Sequence, residues 1–158
     1  MIPQTQGMET NIKLPFSFVF FSLVSLVMSQ ILLLMNYETI SSGVFRTPGI
    51  WSAAHLFVLG WAVMVAMGAM YQLVPVAFLT PIWSEKFGFV QFFITAAGIF
   101  SFALALYLAP YQAFIPGLIT LLGILMFIFQ MAMTLKKQSR PNLMTLFVGT
   151  ALFCLLLT

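Results

Sequence analysis

The sequence predicts an all-α protein: a bundle of about five transmembrane helices that forms one domain over residues 1–158. The chain is 62% hydrophobic and only 6% charged, whereas soluble globular proteins carry about 25% charged residues. Apolar runs recur between short polar or proline-containing breaks, and a bilayer core needs roughly 20 apolar residues per helix. The runs are continuously apolar, so they predict helices rather than the alternating strands of a membrane barrel.

The first predicted helix covers residues 14–35. This apolar run is about twice as long as a signal-peptide core, and no small-residue cleavage site follows it, so we interpret it as a membrane anchor. Three hydroxyl side chains share one face and are expected to point into the bundle: Ser22, Ser25 and Ser29. Buried polar groups in membrane helices usually hydrogen-bond across helices, so this face predicts structural contacts.

The second predicted helix covers residues 50–73 and contains His55, the one histidine of the chain. We expect Pro75 and Pro81 to end it, because proline breaks helical hydrogen bonding. At about 100° per residue, small and apolar side chains fall within about 40° of His55. They are Leu59, Ala62, Ala66, Ala69 and Leu73, with Ser52 beside the start of this face. Such a face favours close packing against another helix, including a second copy in a symmetric homodimer, or leaves room for a flat prosthetic group.

Three further helices are predicted at residues 87–108, 113–135 and 142–157, the last of them short. The third helix carries a polar face that we expect to point into the bundle: Gln91, Thr95 and Gly98. The fourth carries residues typical of close packing: Gly117, Thr120 and Gly123. We interpret both sets as structural contacts between helices.

The few cations predict the orientation, because short loops rich in Lys and Arg stay on the cytoplasmic side. One side of the bundle collects Lys13, Lys86, Lys136, Lys137 and Arg140, and the other holds only Arg46. The N-terminus is therefore expected in the cytoplasm and the C-terminus outside. His55 then lies near the outer leaflet, and the net charge of +3 is explained by cytoplasmic loops that face anionic lipid.

Several classes of function are excluded by what the helices lack. No acidic residue lies within a predicted span, where an ion-coupled transporter usually needs one. There is no paired-carboxylate site, nucleophile with a histidine base, phosphate loop or multi-ligand metal cluster, so hydrolytic and phosphoryl-transfer chemistry are not expected. The lone Cys154 is expected to pack in an apolar run. No basic patch interleaved with aromatic residues indicates nucleic-acid binding.

The segment HLFVLGWAVMVAMGAMYQLVP, residues 55–75, resembles the second transmembrane helix of subunit I of the heme-copper oxidase superfamily, most of all its nitric oxide reductase branch. The resemblance rests on His55, Gly60, Trp61, Gly68, Ala69, Tyr71, Val74 and Pro75, with Arg46 where the family often has an arginine. It implies that His55 is an axial ligand of a b-type heme in the plasma membrane of a bacterium or archaeon. The heme-contacting residues implied beside it are Arg46, as a propionate partner, and Ser52, Ala62 and Ala66.

The chain also departs from that family. The family's further histidines, which bind a second heme and copper, are absent, so the chain is not expected to be an oxidase on its own. The expected role is electron transfer, with a respiratory electron donor, or binding of NO, CO or O2. The sixth iron ligand is left open between His55 of a second copy, a methionine such as Met28 or Met126, and none.

Two alternatives remain beside the heme protein. In the first, the chain is a non-heme accessory or assembly subunit of a respiratory oxidase, and His55 only hydrogen-bonds a neighbouring helix. In the second, it is a small-ligand binder or transporter in the manner of the translocator protein family, whose tryptophan-rich signature is missing here.

Overall fold

A computed structural model describes residues 11–137 and 143–157, and these residues form helices and turns with no strand. The helices in chain order are α1 (Lys13–Met35), α2 (Tyr37–Ser41), α3 (Pro48–Phe78), α4 (Glu85–Leu108), α5 (Phe114–Lys136) and α6 (Leu143–Leu157). Four of them are long and apolar enough to cross a membrane: α1, α3, α4 and α5. The predicted all-α, multi-pass architecture is confirmed.

Helix α3 is longer and less regular than the sequence predicted. It continues through Pro75, so the prediction that proline ends it near residue 73 was wrong. Transmembrane helices tolerate proline because neighbouring groups compensate for the lost hydrogen bond. The helix ends at Leu79, which is left-handed with φ 50°, and the Thr80 N–H donates to the Pro75 carbonyl at 3.1 Å. This is a Schellman closure.

The middle of α3 is π-helical. Residues Pro48–His55 and Met64–Phe78 are α-helical, and the π-helical segment Leu56–Val63 lies between them. Within this segment the rings of Phe57 and Trp61 pack with centroids 4.8 Å apart. A helix wheel drawn for a regular α-helix therefore does not describe this part of the chain.

The helix that was predicted last is present but short. At 15 residues and about 1.5 Å per residue, α6 is roughly 22 Å long, less than the bilayer core of about 30 Å. It packs against α5 through a few apolar side chains, among them Leu152 and Leu155. Cys154 is exposed on α6 rather than buried.

Close helix crossings hold the bundle together at glycines. A Cβ on Gly98 of α4 would lie 2.7 Å from the Thr120 backbone nitrogen of α5. On the other side of the bundle, a Cβ on Gly60 of α3 would lie 2.6 Å from the Ser25 Cβ of α1. The predicted close-packing role of α5 residues and the inward direction of the α1 serine face are confirmed, because Thr120, Gly123, Ser22, Ser25 and Ser29 are buried.

A buried polar network joins α3, α4 and α5. The Tyr71 hydroxyl donates to Gln91 Oε1 at 3.1 Å. Gln91 Nε2 in turn donates to Thr95 Oγ1 at 2.8 Å and to the Gly123 carbonyl at 3.2 Å. The polar face predicted for the third apolar run therefore makes structural contacts, as expected.

Cations are segregated between the two ends of the bundle. Contacts such as Ser29 with Ala53 and Tyr71 with Gln91 show that neighbouring spans are antiparallel. The starts of α1 and α4 and the end of α5 consequently meet at one end, which we call the lysine end: it carries Lys13, Lys86, Lys136 and Lys137. Arg46 precedes α3 at the opposite end, and Arg140 lies outside the described residues.

Candidate functional site

His55 is half-buried at the last residue before the π-helical segment of α3. Its Nδ1 lies 2.7 Å from the Trp51 carbonyl oxygen, one turn earlier. A carbonyl oxygen can only accept, so Nδ1 carries the proton and donates it to this bond. In a neutral imidazole the Nε2 atom is then left with an unprotonated lone pair, and no residue of the described part of the chain hydrogen-bonds it.

An apolar groove lies one helical turn further along α3, and it adjoins His55 through Phe102, although His55 is not itself one of its lining residues. The ring of Phe102 in α4 contacts His55 edge-on, with centroids 5.1 Å apart and planes at 88°. Phe102 also lines a groove of about 260 Å³ together with Val58 and Leu59 of α3, Gly117 and Thr120 of α5, and Leu155 of α6. We call it the His55 groove. Because Gly117 has no side chain, its backbone lies under the Phe102 ring, and even a Cβ there would be 3.3 Å from Phe102 Cε2.

The described length of α6 covers only part of this groove. The helix starts near the lysine end, since it follows α5 closely in the chain, and its Leu155 reaches the wall of the His55 groove. The part of the α3–α5 surface nearer to His55 is therefore not covered by the described length of α6. This leaves an apolar recess that adjoins His55 through the Phe102 ring.

A second apolar groove lies between α1, α3 and α4. It also measures about 260 Å³, and its walls include Met28, Leu32, Ser52, Leu56, Ala103 and Tyr107. The hydroxyl of Ser52 donates to the Ala103 carbonyl at 2.8 Å, so its proton is already used in a contact between α3 and α4. This groove therefore offers a ligand mainly apolar surface.

The residues that the sequence analysis associated with His55 are not all brought together. Ser52 is buried on the side of the second groove. Ala62 is half-buried, and Ala66 is exposed on the outer surface of the bundle, as is Ala69. Arg46 is exposed in the segment before α3 and makes no ion pair within residues 11–137 and 143–157.

The structure adds Phe102 to the site, which sequence reasoning missed. The chain has 18 phenylalanines, and nothing in their spacing distinguishes this one. Gly117 was singled out for close packing, and its position under the Phe102 ring fits that role. The proximity of Phe102 to His55 depends on how the helices cross, which no local sequence pattern encodes.

Comparisons with known proteins do not assign the chain to a family: no family model, curated protein or solved structure matches it. Among the described residues, no group of three or more His, Cys, Asp or Glu side chains is placed to hold a metal ion. His55, with its Nδ1 fixed by Trp51, is accordingly the site on which a functional proposal is built.

Proposed function

We propose that the chain is an integral membrane protein that binds a b-type heme through Nε2 of His55. The observation that carries the proposal is the 2.7 Å bond from Nδ1 to the Trp51 carbonyl. Metal-binding histidines commonly donate their other ring N–H to a backbone carbonyl, which fixes the tautomer and raises the basicity of the ligating nitrogen. The resemblance of residues 55–75 to a heme-binding helix supports the same assignment.

The surroundings of His55 suit a flat apolar group in three respects. The groove walls are apolar, Gly117 adds no side chain to the wall beside Phe102, and Arg46 supplies the one cation of its end of the described chain for a propionate. The groove of about 260 Å³ is smaller than the roughly 300–1,000 Å³ of typical ligand pockets. We infer that the Phe102 side chain turns away from the groove when a macrocycle enters.

The roles of the chain's residues follow from this arrangement. His55 would hold the iron, the Trp51 carbonyl keeps the proton on Nδ1, and the apolar walls would exclude water. A heme bound there would supply one-electron transfer or binding of NO, CO or O2. With one histidine in the chain, a second imidazole would come from a second copy in a homodimer.

The location of the site leads to a proposal about partners. We place the lysine end in the cytoplasm, since Lys-rich loops stay inside. His55 then lies toward the outer surface of a bacterial or archaeal plasma membrane, and an electron donor would approach from that side. Because His55 is the one histidine of the chain, we propose neither a copper site nor a second heme site, and no catalysis of oxygen or NO reduction.

Hemin titration of the detergent-solubilised protein tests the ligand assignment. Wild type is expected to develop a Soret band that saturates with hemin, and His55→Ala to lose it. His55→Gly with added imidazole should regain the band, because free imidazole replaces the missing ring, which separates ligation from folding. Gln72→Ala, at the lysine end, is the matched control. If hemin produces the same Soret band in wild type and in His55→Ala, the proposal is contradicted.

A second pair of variants tests the groove itself. Phe102→Trp is expected to weaken hemin binding, because a larger ring must be displaced, whereas Phe102→Leu should retain it. Both variants preserve an apolar wall, so their thermal unfolding temperatures should stay close to that of the wild type. Identical hemin affinity for Phe102→Trp and Phe102→Leu would place the macrocycle elsewhere.

The second groove favours a different candidate, a binder of small apolar molecules. Its walls are nearly all apolar, and it lies beside Ser52 and Tyr107 rather than on the His55 side of α3. Such a protein would bind a hydrophobic fluorescent probe equally well in wild type and His55→Ala. Filling the groove by Ala103→Leu would abolish that binding while leaving the hemin titration unchanged.

A further inference from the structure

A third groove crosses the surface of the bundle near the lysine end, between α1 and α3. It measures about 290 Å³ and is lined by Pro15, Phe16 and Val19 of α1 and by Val65, Ala69 and Gln72 of α3. The two helices approach closely at its floor, where a Cβ on Gly68 would lie 2.9 Å from the Phe18 Cβ. The walls are apolar along most of their length, and the one amide belongs to Gln72.

Gln72 is an unusual residue for this surface. It is exposed, and its amide makes no hydrogen bond within the described residues. An amide that faces hydrocarbon without a partner is costly, so Gln72 needs a donor or acceptor from the membrane. The described residues that line the groove supply none.

The depth of Gln72 shows which part of a lipid it meets. Helix α3 has 31 residues, which at about 1.5 Å per residue is roughly 46 Å, against a hydrocarbon core of about 30 Å. With the bilayer centred on an upright α3, about 8 Å at each end lies in the headgroup region. Gln72 is six residues before Phe78, the last residue of α3, roughly 9 Å from that end. Its amide is at the boundary where ester carbonyls and phosphates begin.

The charge at this end is positive. Lys13 is exposed, and the residue before it, Ile12, lines the groove. Three more exposed lysines lie at the same end: Lys86, Lys136 and Lys137. The one described carboxylate there, Glu85, accepts a hydrogen bond from the Asn11 backbone N–H at 2.8 Å. Among the described residues, positive charge therefore outweighs negative charge at this end of the bundle.

We propose that this groove is a binding site for an anionic phospholipid. An acyl chain lies between Pro15 and Val19 of α1 and Val65 and Ala69 of α3. The Gln72 amide donates to an ester carbonyl or phosphate oxygen, and Lys13 pairs with the phosphate. A free phosphate does not satisfy the site, because the apolar walls contribute only when an acyl chain fills them.

Native mass spectrometry of the intact protein, released from detergent with phosphatidylglycerol or phosphatidylcholine, tests this site. Wild type is expected to retain one phosphatidylglycerol preferentially over phosphatidylcholine. Lys13→Gln should lower the affinity about fivefold, the effect of one lysine near an anionic lipid surface. Ala69→Leu should abolish retention by filling the groove, although it removes no polar group, and Gln72→Leu should weaken it.

Lys136→Gln is the matched control, since it removes the same charge from the same end of the bundle but from α5, which contributes no residue to the groove. Its lipid retention should equal that of wild type. If Lys136→Gln and Lys13→Gln lose the lipid equally, binding is a diffuse charge effect and the site is refuted. Retention that is unchanged in Ala69→Leu, or equal for the two lipids, would also overturn the proposal. The thermal unfolding temperature of the wild-type protein should rise with added phosphatidylglycerol and not with inorganic phosphate.

Discussion

Gly60 lies where α1 and α3 approach each other, and its lack of a side chain is required there. A Cβ would lie 2.6 Å from Ser25 Cβ and 2.8 Å from Ser25 Oγ. Both atoms are close to the α1 backbone, so they cannot move aside as the end of a long side chain would. The contact therefore constrains the backbone immediately after His55.

Gly60→Ala is expected to destabilise the protein by about 1–3 kcal/mol, because it overpacks a tight contact. The measurement is unfolding in detergent by heat or denaturant. Adding Ser25→Gly should recover much of the loss, since the opposing Cβ is then absent. If the stability changes of the two single variants simply add in the double variant, the two residues do not contact each other.

Individual residues were predictable where their type alone is informative. His55, the α1 serines and Gln91 were recognised because polar groups are rare in membrane helices, and the serines and Gln91 are buried as expected. Phe102 was not recognised, because one apolar ring in an apolar helix carries no signal. The exposure of Ala66 also could not be known, because a small-residue face suits lipid, a second copy or a neighbouring helix equally.

Among the elements, α4 is joined to its neighbours by Gln91, which hydrogen-bonds residues of α3 and α5. Gln91→Leu should therefore lower stability by about 1–2 kcal/mol, the range for cross-helix hydrogen bonds in membranes. Gln112→Leu, in an exposed turn, is the control and should change little. If the unfolding curves of Gln91→Leu and Gln112→Leu coincide, the structural role of the network is contradicted.

The π-helical segment of α3 connects two separately anchored parts. On one side, the Ser29 hydroxyl donates a hydrogen bond to the Ala53 carbonyl, and the Ser52 hydroxyl donates one to the Ala103 carbonyl, both at 2.8 Å. Tyr71 bonds Gln91 on the other. Within the segment, buried residues recur every four positions at Leu56, Gly60 and Met64. This spacing fits the wider π turn, in which the i to i+5 hydrogen bond accommodates an extra residue.

Deletion of one residue from this segment should consequently be tolerated. Removing the lipid-facing Val58 lets the segment wind as an α-helix while both anchored parts stay in place. Removing Val90 from α4, which is equally exposed but lies in a regular α-helix, should prevent folding because it rotates the buried face. Monodispersity in detergent and thermal unfolding compare the two. Equal damage from both deletions would show that the segment holds no surplus residue.

The helices themselves were largely predictable because long apolar runs and their breaks determine them. Residues 14–35, 87–108 and 113–135 agree closely with α1, α4 and α5. The extension of α3 past Pro75 was missed, since local rules treat proline as a stop while packing in a bundle compensates for it. The π-helical segment has no period that sequence inspection detects.

For the whole molecule, the segregation of lysines leads to a prediction about orientation. In a Cys154→Ser background, Arg46→Cys should react with a membrane-impermeant maleimide in intact cells, and Lys86→Cys only after permeabilisation. Both positions are exposed at opposite ends of the bundle. The reverse pattern would place the lysine end and the N-terminus outside and move the proposed electron donor to the cytoplasm.

The candidate site was predictable only in part at this scale. Its histidine and its position near one end of the bundle followed from the sequence, as did the absence of further histidines. The groove did not, because it results from the crossing of α3, α4 and α5 and from the approach of Leu155 of α6. Those features are properties of the assembled bundle and not of any single segment.

The most direct test of the central claim is the absorption spectrum of the wild-type protein purified from heme-replete cells, oxidised and reduced, with and without carbon monoxide. We expect a Soret band that shifts on reduction and is missing from His55→Ala. A further shift with carbon monoxide would indicate an open iron position and gas binding, whereas none would indicate two axial ligands and electron transfer. A wild-type protein that stays colourless even after hemin is added would contradict the heme assignment.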